Sequence, residues 1–101
     1  MSSVTGEDIL RCRILKLLRE MSKDKPSPYG VHRTSVMEAL ETTEGAMDST
    51  VMFLARNNLV NLTEAPNVFW LWAKITSTGQ DALEYPEKYI KQFPFLEHLE
   101  K

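Results

Sequence analysis

A chain of 101 residues, 43% apolar and 26% charged, holds enough apolar material for one small core, which excludes wholesale disorder and leaves little room for a second domain. One cysteine cannot close an internal disulfide, the start MSSVTGED lacks both the basic residues and the apolar run of a secretion signal, and the longest apolar run, Val68 to Ala73, is far below the ~20 residues of a membrane helix. These features predict a single cytoplasmic domain with no membrane partner, whose net charge of −2 is unevenly spread: residues 1–33 carry seven Lys/Arg against four Asp/Glu, residues 34–72 one against five.

From Gly6 to Met21, the apolar residues Leu10, Ile14, Leu17, Leu18 and Met21 recur at helical spacing, and Thr5 with Asp8 makes a capping box. The other face, with Arg11, Lys16, Arg19 and Glu20, suits solvent. The stretch SKDKPSPYGV, with two prolines and a glycine, reads as a loop. TSVMEALE then starts a second helix of about two turns. Ser35 and Glu38 resemble its capping box, and Val36, Ala39 and Leu40 its buried stripe.

Thr42 and Thr43 interrupt, because paired β-branched residues favour a cap over a helix interior. Thr43 caps a third helix over 44–57, with Met47, Val51 and Leu54 inward and Asn58 as a left-handed exit. LVNLT and VFWLWAKIT have strand composition and are joined by EAPN, so an antiparallel hairpin is predicted over 59–75. Alternation puts Phe69, Leu71, Ala73 and Ile75 on its inner face and Val68, Trp70 and Trp72 on the outer one.

A fourth helix follows in TSTGQDALE, capped by Thr76 or Ser77 and stopped or redirected by Pro86. The tail 85–101 is helix-competent, broken again at Pro94, and gathers Tyr85, Tyr89, Phe93, Phe95 and Leu96. Two exposed tryptophans need a cover. The tail is expected to supply it, within the chain or from the mate of a homodimer, which makes Trp70, Trp72, Tyr89, Phe93, Phe95 and Leu96 the predicted dimer surface.

Three helices, a two-stranded hairpin and a closing helix, from about Ile9 to Leu83, resemble the winged helix-turn-helix family, an α+β and mostly helical class. TSVMEAL, GAMDSTVMFLARNNLV and ITSTGQDAL carry the resemblance. It implies a sequence-specific transcriptional regulator, either small and MarR/PadR-like or of a phage or archaeal type, with helix 44–57 in the major groove of duplex DNA and segment 59–75 as the wing. Carried onto this sequence, the groove-facing residues are Gly45, Ala46, Asp48, Ser49, Thr50, Met52 and Phe53. His32, Arg33, Thr34 and Ser35 hold phosphates, and Asn67 lies at the wing tip.

The reading helix carries Glu44 and Asp48 and no base before Arg56, so phosphate contacts fall to His32, Arg33, Lys23, Lys25 and Arg56. An alternative follows from Glu38, Glu41, Glu44 and Asp48, which could form an acidic strip on helices two and three. Such a strip suits a protein-interaction module with a basic partner. Catalysis is not predicted. Cys12, His32 and His98 have no metal-ligand spacing, and the four glycines are scattered, so neither a metal nor a cofactor is implied.

Overall fold

The computed structural model describes residues 6–24 and 26–99. The elements are α1 (Gly6–Asp24), β1 (Val31–His32), α2 (Arg33–Ala39), α3 (Glu44–Arg56), β2 (Val60–Ala65), β3 (Val68–Ile75), α4 (Ser77–Glu84) and α5 (Pro86–Tyr89), with a 3-10 helix at Pro94–His98. The fold is α+β and mostly helical, with one small antiparallel sheet in the order β1-β3-β2. No helix among the described residues is long and apolar enough to cross a membrane.

The predicted helix spacings recur as buried stripes: Ile14 and Leu18 in α1, and Met47, Val51 and Leu54 in α3, are all fully buried. Two caps also follow the sequence. Ala46 N–H donates to Thr43 Oγ1 at 3.1 Å, and Gly79 N–H donates to Thr76 Oγ1 at 2.9 Å, each satisfying a helix-start donor that would otherwise lack a partner. Asn58 has φ 62° and turns α3 into β2. Thr5 of the predicted first cap lies outside the described residues.

The cap of α2 differs from expectation. The helix begins at Arg33, and its cap is the His32 ring, whose Nδ1 accepts from Thr34 N–H at 3.1 Å, so Ser35 lies inside the helix. Arg11 on α1 is not a solvent residue either. Its guanidinium carbon stands 3.6 Å from the Phe53 ring centroid, and its buried Nε has no hydrogen-bond partner among the described residues.

The segment read as a loop closes with a strand. Val31 pairs with Ala73 and His32 with Trp72, a match too short to show any period in sequence. Gly30 permits it: φ is +96°, and a Cβ there would fall on the Ala73 backbone carbonyl, so only glycine fits both the conformation and the space.

The hairpin turns tighter than EAPN suggested, since Ala65 pairs with Val68 around Pro66 and Asn67. Pairing is regular from Val60↔Ile75 to Thr63↔Trp72 and then shifts, two steps along β2 matching four along β3. Such a shift leaves residues of β3 unpaired and breaks strict alternation locally. The predicted alternation therefore holds for Ala73 and Ile75 and fails toward the tip: Trp70 is fully buried, and Phe69 is 43% exposed.

The tail also departs from expectation. Pro86 starts α5 and Pro94 starts the 3-10 helix, and these turns lay the tail on α1 rather than over the tryptophans. Phe93, Phe95 and Leu96 are buried, Phe95 meets Phe53 edge to face at 5.8 Å, and the Cys12 thiol donates to the Phe95 carbonyl at 3.1 Å. Burial, reinforced by the Asp8 charge, pushes the Cys12 thiol up to about 11, so almost no thiolate forms at neutral pH.

Gly30→Ala should lower unfolding stability by about 2 kcal/mol or more. Gly45→Ala, where a Cβ meets nothing within 4 Å, should leave it unchanged or raise it by up to about 1 kcal/mol; urea melts compare the two. Cys12 should react slowly with a thiol reagent at pH 8 in the whole protein and rapidly in a chain ending at Glu84, whose unfolding midpoint should also fall. Equal labelling rates would show that the tail does not cover Cys12.

Candidate nucleic-acid interface

With Met47, Thr50, Val51 and Leu54 turned to the core, helical geometry directs Gly45, Ser49, Met52 and Arg56 to the opposite side of α3. Gly45, Ser49 and Arg56 are exposed, and Ala46 and Met52 half-exposed. This outward stripe contains no acidic residue.

Two acidic side chains, Glu44 and Asp48, flank it, four residues and thus about one turn apart. Arg33, the first residue of α2, reaches both. Its Nη1 donates to Asp48 Oδ1 at 2.7 Å, and its Nη2 donates to Asp48 Oδ2 at 3.0 Å and to Glu44 Oε2 at 2.7 Å. The two-pronged contact with Asp48 uses the guanidinium's planar fork. From β3, the Trp70 indole N–H donates to Asp48 Oδ1 at 2.8 Å, while the Arg33 guanidinium lies 5.0 Å from the Trp70 ring centroid.

These contacts set the charge states. Hydrogen bonds from Arg33 foremost, then from Trp70, hold Asp48 below the usual carboxylate range against the effect of its own burial. Hydrogen bonding to Asp48 foremost, then to Glu44, holds Arg33 above its ordinary value. The Arg33–Asp48 pair is therefore ionised on both sides at neutral pH.

The residues predicted to contact DNA divide accordingly. Gly45, Ala46, Ser49 and Met52 share the outward side of α3, Thr34 is exposed beside it at the start of α2, and Ser35 is half-buried. Asn67 is exposed at the hairpin tip. Thr50 is only 4% exposed and its hydroxyl donates to the Ala46 carbonyl at 2.8 Å, so it faces the core and not a groove. Phe53 is held between Arg11 and Phe95. Asp48 and Arg33 are engaged with each other, and His32 is committed to capping α2 and to an edge-to-face contact with Trp72 at 4.9 Å. Lys23 is exposed and 4.0 Å from Glu20; Lys25 lies outside the described residues.

The predicted dimer surface is largely internal. Trp70, Phe93, Phe95 and Leu96 are buried within their own chain. Tyr89 is half-buried, its hydroxyl donating to Asp81 at 2.6 Å. Trp72 is covered in part by His32 and by Tyr29, whose ring lies 5.9 Å away. The acidic strip is also interrupted, since Glu38 and Glu41 are exposed but Glu44 and Asp48 share Arg33.

Sequence reading missed the Arg33–Asp48–Trp70 contact because no spacing rule links residues 15 and 22 positions apart on different elements. One chemical signal was present. A tryptophan placed in a core brings an N–H that needs an acceptor, and Asp48 is the acidic residue on the core-flanking side of the adjoining helix. Comparison of this chain with protein-family models, with curated proteins and with solved structures gives no match.

Asp48→Asn keeps an oxygen for Trp70 but removes the charge bound by Arg33, and should cost about 1–3 kcal/mol. Because Asp48 is more acidic folded than unfolded, its contribution is complete above the usual carboxylate range and disappears as pH falls through the lower folded value. The stability gap between the two proteins should thus be constant from neutrality to about pH 5 and narrow below about pH 4, read by urea melts at each pH.

Proposed function

We propose that the chain is a winged-helix module that binds duplex DNA, with α3 in the major groove and the β2–β3 hairpin as the wing. The order α1, β1, α2, α3, β2, β3 with a β1-β3-β2 sheet supports the winged-helix reading of the fold. The observation that carries the functional reading is the contact of Arg33 with Asp48 and Glu44. It offsets one of the two charges that would repel a phosphate backbone beside α3 and leaves an outward stripe of small, neutral and basic residues.

In this reading Gly45 and Ala46 give the backbone of α3 close access to the groove floor. Ser49 reads a base edge, and Met52 meets an apolar surface such as a thymine methyl. Arg56 holds a phosphate at the far end of the helix. The cationic footprint is small, so affinity is modest and salt-sensitive.

A second reading, a protein-interaction module, draws on the hairpin tip. Val68 and Phe69 are 37% and 43% exposed beside Pro66, and no cation lies between Asn61 and Leu71, which is a surface better matched to an apolar partner than to phosphate.

Fluorescence anisotropy with labelled 20-base-pair duplexes tests the DNA reading. With about three phosphates neutralised, affinity should fall roughly 40-fold between 50 and 200 mM salt. Arg56→Ala should weaken all sequences alike, whereas Ser49→Ala should change the preferred sequence. No binding to random or genomic duplexes at 50 mM salt would overturn the reading in favour of the second.

A further inference from the structure

We infer that Glu44 is an exchangeable internal counter-ion, occupying on Arg33 the position that a DNA backbone phosphate takes in the bound state. The inference rests on the DNA reading of α3 and specifies how that surface is controlled.

Arg33 holds two carboxylates that differ in attachment. Asp48 accepts from both of its terminal nitrogens and also from the Trp70 indole, and its side chain is 27% exposed. Glu44 accepts one hydrogen bond, from Nη2, and its side chain is 68% exposed. A single guanidinium charge is balanced by Asp48 alone, so Glu44 leaves the trio with a net charge of −1. An exposed ion pair of this kind contributes little to folding, because water and salt compete for both partners.

The Arg33 side chain itself is only 13% exposed, and the Trp70 ring and Asp48 fix its plane. The Nη2 side bound by Glu44 is the side that carries the exposed partner. Rotation of the Glu44 side chain into solvent leaves a charged N–H donor pre-oriented beside the outward stripe of α3. A phosphate oxygen then makes the hydrogen bond that the carboxylate made, and no covalent step or additional ion is needed. Until that exchange the glutamate both occupies the donor and repels the incoming phosphate. Glu44 thereby sets a threshold on binding, while Asp48 and Trp70 keep Arg33 aligned in both states.

Glu44→Gln, Glu41→Gln and the unaltered protein, titrated with the same 20-base-pair duplex at 50 mM salt, test the inference. Glu41 is exposed nearby on the same chain and has no ion pair among the described residues, so its variant reports the effect of removing one negative charge without freeing Arg33. Glu44→Gln should bind about three- to tenfold more tightly than the unaltered protein, on all sequences alike, and Glu41→Gln less than twofold. The unfolding midpoint of Glu44→Gln should not fall, and in the unaltered protein the Arg33 guanidinium NMR signals should shift on adding DNA. Equal affinities for the two glutamine variants overturn the counter-ion role and leave the DNA reading standing. Absence of binding by all three proteins overturns the DNA reading itself, and the inference with it.

Discussion

Asp48 accepts three hydrogen bonds, two from Arg33 and one from Trp70, and through them ties the start of α2, the outer edge of α3 and the middle of β3 into one unit. Such a contact costs desolvation on both sides. It is favourable here because the geometry is two-pronged and each oxygen of the carboxylate is used. It also decides which parts of the molecule face outward. With Asp48 drawn toward Trp70, the small residues of α3 form an uninterrupted outer stripe, and with Arg33 drawn toward α3 the segment before α2 closes against the sheet.

The position of Trp70 couples this contact to the hairpin. A regular two-residue alternation from Ile75 would place Trp70 on the outer face with Trp72. Where the pairing shifts near the tip, the indole instead lies inward, its ring beside Arg33 and its N–H on Asp48. Phe69 takes the outward place that strict alternation assigned to the tryptophan. The tip exposes Val68 and Phe69 and carries no cation, while the base of the strand, at Ala73 and Ile75, keeps the inward pattern needed to sit on the helices.

On the far side of α1 the tail does what a second sheet or a dimer mate does in other small domains: it covers apolar surface. Two prolines bend it so that Phe93, Phe95 and Leu96 reach the core beside Cys12 and Phe53. Arg11 completes this side by laying its guanidinium on Phe53, so a residue on the polar side of α1 contributes its flat cation to packing. Phe93 and Phe95 of the tail are thereby spent inside the chain, whereas Tyr85 stays exposed.

The sequence by itself determined what depends on near neighbours. Helical spacing located α1 and α3, a capping residue and Pro86 bounded α4, threonine hydroxyls at positions 43 and 76 capped α3 and α4, and Asn58 supplied the left-handed exit, because each of these is settled within a few residues of chain. Of the groove-facing set that the family resemblance implied, Gly45, Ala46, Ser49 and Met52 lie on the outward side of α3, whereas Thr50 is buried and Phe53 is held between Arg11 and Phe95. Only the tertiary structure decided the rest. The β1 pairing, the shift that buries Trp70, the covering of Phe53 by the tail, and the capture of Asp48 by Arg33 all depend on which distant groups meet. Local pattern fixes the direction of a side chain relative to its own element, whereas pairing register, counter-ions and cover are set by the neighbours that the fold brings to it.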